Sequence, residues 1–538
     1  MKGTIRALAA LLLALSLLLS GCATPAAPQT QPTQGTEAAQ PTQGTEPTQA
    51  TEATEQTQES TQPQKDHTDT DNDGVCDECG DSVLEIFDIF AVNDLHGKLC
   101  DTTEQPGVDE LSTYLKNAVA ENENTIVLSS GDMWQGSAES NLTDGLMMTE
   151  WMNELDFVSM TMGNHEYDWG EGLVLDNLEI AEFPFLGINI YDRDTDARVD
   201  YCDASLMVEK SGVQIGIIGA MGDCYSSIAS DHTKGIYFQV GDELTELVKE
   251  EAQRLRAAGA DFIVYTIHDG YSGTNYSETA TDNMLAPYYD TILSDGYVDI
   301  VFEAHTHKHY IKQDGHGVWH LQGGGDNRGI THAQVEINAA NGSSRVILAE
   351  FVGTEVYEDL PDDPVVEQLL EKYDDQVSIG EEVLGYNAKG RTEDSLRKTA
   401  AMLYYAYGQE LWGDQYDIVL GGGFFTVRSP GYLAKGDVTY AQLQMLFPFD
   451  NYLVLCSVKG SDLLEKFFET DNDRYFIYYE EYGEQVYEDL DPNKTYYIVV
   501  DTYTSTYKYN RLTEIQRWEK DFFTRDMLAE YIQEGNMR

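Results

Sequence analysis

The chain has 538 residues, too many for a single hydrophobic core, and 41% of them are hydrophobic, so we expect two to four folded domains. Its 94 Asp and Glu residues against 33 Lys and Arg give a formal net charge of -61, which disfavours binding to nucleic-acid polymers through a basic patch. A small anionic ligand would need a local positive centre, such as a metal cluster. Seven cysteines are too few for a fold built on disulfides.

The N-terminus is typical of an export signal. A basic start precedes the apolar run of residues 7–19, which is too short to span a bilayer comfortably. The next residues, Leu-Ser-Gly followed by Cys22, resemble a bacterial lipobox. We therefore expect a lipoprotein signal over residues 1–22 and acyl chains on Cys22 that hold the protein on the outer face of the bacterial cell membrane. The alternative is an ordinary signal peptide with an incidental cysteine.

The next segment, residues 23–65, repeats Gln, Thr, Pro, Glu, Ala and Gly and has no apolar periodicity. Such a composition cannot bury enough apolar surface to fold. The segment is therefore predicted to be a disordered tether.

Residues 66–81 form an Asp-rich segment. Alternate acidic residues followed by a glycine resemble a calcium-binding loop. The candidate ligands are Asp69, Asp71, Asp73 and Asp77. The twelfth position of the loop is Gly80 rather than the usual Glu. Two alternatives remain open: Cys76 and Cys79, with His67, form half of a soft-metal site or a small disulfide, or the segment is only acidic linker.

From about residue 84 onwards, short β-rich apolar runs alternate with helical stretches, which predicts an α/β fold. The predicted strands are residues 83–92, 125–129, 157–162, 213–220, 261–267 and 298–304, and the predicted helices are 109–121 and 242–258. A charged, helical stretch over residues 361–376 leads to a second segment. Its predicted helices are 393–411 and 460–470, and its predicted strands are 416–420, 452–458 and 495–502.

Five of the predicted strands end in potential metal ligands. In chain order these are Asp94 with His96, then Asp132, Asn164 and His268, and finally His305 with His307. Ligands bind beyond the carboxyl ends of strands in α/β sheets, so we expect these side chains to meet at one rim. Each motif alone is typical of a turn or of a structural histidine, and their shared position at strand ends indicates the site. Asp, His and Asn without a thiol suit Zn²⁺, Mn²⁺ or Fe.

These ordered blocks resemble those of the calcineurin-like metallophosphoesterases: Asp-x-His, Gly-Asp, Gly-Asn-His-Glu, a lone His and His-x-His. They most resemble the bacterial 5′-nucleotidases among them, in which an aromatic residue and an Asp, here Asp168, follow the Gly-Asn-His-Glu block. The second segment adds Gly422-Gly423, Arg428, Gly436-Asp437-Val438-Thr439 and Pro448-Phe449-Asp450-Asn451. The resemblance covers residues 84–538.

The resemblance implies an α/β fold in three parts. Residues 84–355 would be a metallophosphoesterase β-sandwich flanked by helices, in the layer order α/β/β/α. Residues 356–376 would be a linker helix, and residues 377–538 a second α/β domain, the 5′-nucleotidase C-terminal domain that binds substrate.

The resemblance also implies two divalent metal ions, Zn²⁺ or Mn²⁺, that supply hydroxide for direct in-line attack on phosphorus. The implied ligands are Asp94, His96 and His307 for one ion, Asn164, His268 and His305 for the other, and Asp132 as the bridge. His165 would stabilise the charge on the phosphoryl group or protonate the leaving oxygen. Asp168 would orient His165 and favour its protonated form.

For the substrate, the family pattern implies an aromatic clamp around the base and an arginine for anionic groups. Phe449 matches the first aromatic, with core packing as the alternative, and Asn451 lies near enough in sequence to reach a base edge. Arg428 matches the arginine at an unusually long spacing, and Arg391 is a further candidate.

The second aromatic of the clamp is ambiguous. Many relatives carry a Gly-Gly-Asp-Gly-aromatic loop after the strand predicted at 495–502, and this chain does not. The candidates are Tyr503 and Tyr507.

Together these features predict an extracellular phosphoesterase that acts on nucleotides. Three alternatives keep the metals and change the substrate: a 2′,3′-cyclic-nucleotide phosphodiesterase, a nucleotide-sugar hydrolase and a sugar phosphatase. A lipid-anchored binding or adhesive protein also fits the lipobox and tether, but has no need of His165 and Asp168.

Overall fold

A computed structural model describes residues 67–101, 106–271, 296–424, 427–428, 431–465, 475–478, 490–506, 511–518 and 522–537. The predicted signal, Cys22 and the predicted tether lie outside these ranges. Within them, no helix combines the length and the apolar character that a bilayer crossing requires.

Two six-stranded sheets packed face to face form the centre of the first domain. The first sheet has the spatial order Ser344–Gly353, Gly329–Asn338, Leu84–Val92, Ile126–Ser129, Met160–Thr161 and Phe185–Leu186. The second has the order Tyr310–Gln313, Trp319–Gln322, Ile300–Glu303, Phe262–His268, Val213–Met221 and Ser205–Lys210. Side chains of both sheets, such as Leu128 and Phe302, share one fully buried cluster, so the two sheets form a sandwich.

Helices cover the outer faces of this sandwich. On the first sheet lie Asp109–Glu121, Leu146–Glu154 and Glu171–Ile180. On the second lies Asp242–Ala257, whose buried residues Leu244, Val248, Ala252 and Leu255 recur at helical spacing. The strand Leu84–Val92 is buried on both faces because Ile89 faces the other sheet and Phe90 faces the helices. This explains its nearly continuous apolar sequence.

The connector between the two domains is attached to the first. It contains the helices Val365–Lys372 and Asp374–Val377 and the single turns Thr354–Val356 and Ser378–Glu381. Val365, Val366 and Leu369 are buried in the core of the first domain, and Lys116 pairs with Asp363 at 2.9 Å.

The second domain is built on a five-stranded sheet in the order Tyr475–Tyr478, Ile418–Phe424, Thr495–Asp501, Leu453–Lys459 and Thr513–Trp518. The helices Glu393–Trp412 and Thr524–Gln533 pack on one face of this sheet and form a core with it.

The remaining described elements of the two domains are short. The helices are Ala138–Leu142, Tyr440–Leu446, Gly460–Leu463 and Thr502–Thr506, with single turns at His165–Tyr167 and Asp223–Ser227. Three two-stranded ribbons pair Ile190–Asp192 with Ile236–Phe238, Val383–Asn387 with Gly436–Thr439, and Arg391–Thr392 with Tyr432–Leu433.

The strand predicted at residues 157–162 is shorter than expected. Only Met160–Thr161 pairs, between Ser129 on one side and Phe185–Leu186 on the other. The chain then leaves the sheet and turns at His165–Tyr167.

The direction of the strands sets the position of the site. Leu84–Val92, Ile126–Ser129 and Met160–Thr161 run parallel to one another, and so do Phe262–His268 and Ile300–Glu303. Their carboxyl ends therefore lie at one edge of each sheet.

Candidate metal centre

The seven predicted ligands converge in the loops that follow these five strands. The donor atoms of Asp94, His96 and His307 lie within 4.8 Å of one another, as do those of Asp94, Asp132 and His268. Asp132 Oδ2 lies 3.0 Å from His268 Nε2, and the Nε2 atoms of His96 and His307 are 2.9 Å apart. Asp94 accepts the backbone N–H of His305 at 2.9 Å, which joins the ligand loops of the two sheets.

Five of these seven residues have a left-handed backbone. The φ angles are 51° at Asp94, 51° at His96, 56° at Asp132, 70° at His305 and 52° at His307. Such a conformation costs a non-glycine residue on the order of 1 kcal/mol or more, and clusters of it are typical of functional sites. The backbone is strained so that the side chains point inward together.

The inner histidine nitrogens are free to act as ligands. His96 donates its Nδ1–H to the carbonyl of Gln135 at 2.9 Å, and His268 donates its Nδ1–H to the carbonyl of Ser130 at 2.7 Å. When either imidazole is neutral, its bond keeps the proton on Nδ1 and directs the Nε2 lone pair towards the centre. Burial and the nearby charges of Arg428 and His307 hold the pKa of His96 well below its usual value, so its imidazole is neutral.

The residues present fit divalent cations. Asn164 Oδ1 is a buried acceptor that has no hydrogen-bond partner among the described residues. Burial acts to lower the pKa of His268, but the carboxylates of Asp132 and Asp94 raise it to about 10, which shows that this cavity favours positive charge. Carboxylate, imidazole and amide donors together suit Zn²⁺ or Mn²⁺.

Glu166 holds the ligand loops together, a role that sequence reasoning missed although it quoted the residue within Gly-Asn-His-Glu. Its carboxylate accepts the backbone N–H groups of Asp132 at 2.9 Å, Met133 at 2.7 Å and Gly163 at 2.8 Å. A Cβ at Gly163 would lie 2.4 Å from Asp132 Oδ1, so only glycine fits there.

The pair predicted to be catalytic lies beside this centre. His165 Nδ1 and Asp168 Oδ2 are 2.5 Å apart, and the backbone N–H of His165 donates to Asp132 Oδ1 at 2.8 Å. Burial acts to lower the pKa of His165, but the charges of Asp168 and Asp132 outweigh it, and the pKa lies above its usual value. The pair therefore favours a protonated His165, and because Asp168 contacts Nδ1, the Nε2–H of His165 does not bond to Asp168.

A cavity of about 690 Å³ joins the metal-binding rim to the second domain. Four of the predicted substrate residues line it: Arg428, Phe449, Asn451 and Tyr503. Arg428 donates to Gln135 Oε1 at 2.9 Å, and the Phe449 ring stacks on the His165 ring with centroids 6.1 Å apart. Arg391 is not part of the described lining, and its Nε donates to Asn387 instead. Tyr507 lies outside the described residues.

Sequence reasoning also missed several cavity residues. His232 lines the cavity from a turn, and Lys98 lies just beyond His96 in the loop after the first strand, but neither residue belongs to one of the motifs. Asp326 lies 3.5 Å from His307 Nδ1 and follows the strand Trp319–Gln322 after three glycines, so its position after a strand was the signal that could have identified it.

A thiol lies close to the centre, although the sequence predicted none among the ligands. Cys224 Sγ is within 4.8 Å of donor atoms of His268 and His305. It donates to the backbone carbonyl of His268 at 2.9 Å, and burial raises the pKa of this thiol well above its usual value. Cys224 is therefore a neutral neighbour of the ligands.

The Asp-rich segment packs on the first sheet. Asp69 accepts the N–H of Gly74 at 2.9 Å and the amide of Asn338 at 2.6 Å. Asp73 accepts from Val75 and Asp77 from Thr70, while Asp71 is exposed. Calcium binding by these four carboxylates stays a prediction.

Comparison with known proteins agrees with this geometry. Residues 87–309 match the calcineurin-like phosphoesterase family. The chain is 25% identical over 414 residues to Protein UshA of Yersinia enterocolitica, covering 70% of this chain and 72% of that protein. It is 28% identical over 201 residues to a 5′-nucleotidase of Vibrio vulnificus, covering 37% of this chain and 34% of that protein.

A solved structure shares the fold. The 5′-nucleotidase precursor from Thermus thermophilus superposes with a TM-score of 0.65 at 18% identity, over 84% of this chain and 96% of that one. The predicted α/β architecture of two successive domains is thereby confirmed.

The first prediction concerns the charge of Asp132. In Asp132→Asn, which keeps the shape of the side chain, we expect most of the Mn²⁺-induced rise in Tm to be lost. In the parent, saturating Mn²⁺ at about 1,000 times its Kd would add about 4 kcal/mol to the free energy of unfolding. Thermal unfolding with and without Mn²⁺ measures this, with the surface variant Asp192→Asn as the matched control. An equal rise in Asp132→Asn and in the parent would contradict the assignment.

Proposed function

We propose that this protein is a metal-dependent phosphoric ester hydrolase that hydrolyses phosphate esters of nucleotides outside the cell. The proposal is supported by the match of residues 87–309 to the calcineurin-like phosphoesterase family and by the similarity to a 5′-nucleotidase. One observation carries the proposal. A single cavity is lined by five of the seven predicted metal ligands, by the His165–Asp168 pair and by Phe449 and Tyr503 of the second domain. This arrangement offers one place for the phosphate and another for an aromatic base.

The seven ligands, Asp132 among them, would hold two divalent cations. When bound, such a pair polarises the phosphoryl oxygens and supplies hydroxide at neutral pH. His165 holds a proton on Nε2, because Asp168 occupies its Nδ1 side and favours the imidazolium. From there it donates to a phosphoryl oxygen or passes the proton to the leaving ester oxygen.

Positive side chains at the cavity support binding of an anion despite the net charge of -61. Arg428 reaches from the second domain to Gln135, whose backbone carbonyl orients His96. Lys98 and Arg328 line the same cavity. We assign Arg428 to the phosphate because its planar guanidinium suits two oxygens at once.

The base would stack between aromatic rings of the second domain. Phe449 already stacks on His165, and Tyr503 lines the same cavity. Asn451 Oδ1 accepts the backbone N–H of Tyr503 at 3.1 Å and the hydroxyl of Thr502 at 2.9 Å, so it fixes the position of Tyr503. Asn451 therefore positions the clamp, and its amide N–H₂ is the part available to a base edge.

We also propose that the protein is exported and attached to the outer face of the bacterial membrane through acyl chains on Cys22. The support is the Leu-Ser-Gly-Cys sequence after a short apolar run. The low-complexity residues 23–65 would give the enzyme reach from the surface.

The central test measures phosphate release from AMP, ADP, ATP, 2′,3′-cyclic AMP and glucose 6-phosphate. The protein is stripped of metal and then supplied with Mn²⁺ or Zn²⁺. We expect metal-dependent release that is fastest from nucleotides. His165→Ala should lower kcat about 10²- to 10⁴-fold because the proton donor is lost, while the metal content stays that of the parent.

The control for this test is His316→Ala, which removes an exposed histidine. Faster release from glucose 6-phosphate than from every nucleotide would replace the nucleotidase proposal with a sugar phosphatase. No release with either metal would favour the binding-protein alternative.

The next prediction separates the base from the phosphate. In Phe449→Ala we expect the ratio of kcat/KM for AMP to that for phenyl phosphate, which has no base, to fall about tenfold. This is about 1.4 kcal/mol, within the range for stacking of one base on an aromatic side chain. Phe449→Tyr, which keeps the ring, should restore the ratio. If the alanine variant loses activity on both esters equally, Phe449 is a packing residue and not a clamp.

The anchor is tested with Cys22→Ala. We expect the parent to fractionate with membranes and to incorporate labelled fatty acid, because two or more acyl chains give stable anchoring. The variant should carry no label. The matched control, Cys100→Ser, should behave as the parent. Label that persists in Cys22→Ala would exclude this site of lipidation.

A further inference from the structure

A second cluster of potential metal ligands lies in the segment before the first strand. The Nδ1 of His67 is 3.6 Å from the Sγ of Cys79, and the donor atoms of His67, Cys76 and Cys79 all lie within 4.8 Å of one another. Neither cysteine is in a disulfide. None of the three residues lines the cavity of the metal centre.

The local fold directs both sulfurs to one side. The backbone N–H of Cys76 donates to Asp81 at 2.8 Å, and that of Gly80 donates to Cys76 at 2.9 Å. Gly80 has a φ of 79°, a left-handed conformation that suits glycine and completes the tight turn.

Contacts to the first domain hold the segment in this shape. Asp69 is buried and bonded to Asn338, and Asn72 accepts hydrogen bonds from Asn341 and Ser343. The N–H of Asp77 donates to Thr68 at 2.8 Å, which brings the neighbouring His67 to the cysteines. The three donors are therefore brought together by the fold of the segment before any ion binds.

We propose that His67, Cys76 and Cys79 bind a structural Zn²⁺ ion. A Cys-x₂-Cys pair with a histidine is a typical half of a structural zinc site, and imidazole with thiolate suits zinc.

Zinc explains the donor set better than calcium does. Calcium takes oxygen ligands and leaves both cysteines and His67 unused. The carboxylates of Asp73 and Asp77 are also engaged with Val75 and Thr70. The ion would cross-link His67 and Cys79 and so stabilise the start of the folded domain.

The test uses Co²⁺ as the probe on the full chain, because cobalt bound to thiolate gives an intense charge-transfer absorption that imidazole and carboxylate ligands do not give. We expect this band to appear on adding Co²⁺ to metal-stripped protein and to be displaced by Zn²⁺ added in excess over all the metal sites. It should be lost in Cys76→Ser/Cys79→Ser and unchanged in the matched controls Cys100→Ser and Cys224→Ser.

A second measurement follows the exposed thiol of Cys79 by alkylation and mass spectrometry. Zn²⁺ should slow its alkylation about tenfold or more, since the reagent reacts only with the metal-free form. The proposal is overturned if the band survives in the double variant or if Zn²⁺ leaves the alkylation rate unchanged. It is also overturned if Cys76 and Cys79 are recovered as a disulfide from protein purified with zinc present.

Discussion

The buried carboxylates of Asp94 and Asp132 need positive charge to compensate them, and the rest of the site is arranged around this need. Both are almost fully excluded from solvent, and a buried charge without compensation costs several kcal/mol or more. The surrounding histidines can supply only part of that compensation, because burial and neighbouring positive charge lower the pKa of His305 to about 3 and that of His96 as well. Divalent cations satisfy the carboxylates and the neutral imidazoles together. The packing of two sheets against each other is the means by which five loops deliver these groups to one point.

The parts of this arrangement that could be predicted from the sequence are those in which chemistry and local structure coincide. Asp94, Asp132 and His268 each come directly after an apolar run, so strand prediction alone brings them to one edge. The resemblance to the calcineurin-like phosphoesterases is confirmed by the match over residues 87–309, and the two-domain α/β architecture by the shared fold.

The parts that could not be predicted depend on contacts between distant segments. Arg428 contacts Gln135 across 293 positions of the chain, and the local sequence around neither residue predicts this contact. His232 reaches the cavity from a turn, and Glu166 acts through backbone N–H groups that carry no sequence signature. Arg391 had the right chemistry, but the ribbon Arg391–Thr392 directs its Nε to Asn387. Residue type identifies candidates, and only the fold decides which of them reach the site.

The left-handed backbone at five of the seven ligands has a consequence for how this protein can change. Glycine is the residue that such a conformation tolerates best, so at these positions the substitutions that relax the backbone are the ones that delete a ligand. Selection for thermal stability alone would therefore favour variants that have a larger free energy of unfolding and bind no metal. Evolution or engineering of this scaffold has to find its added stability elsewhere, in the sheet core and the helices, and leave the rim strained.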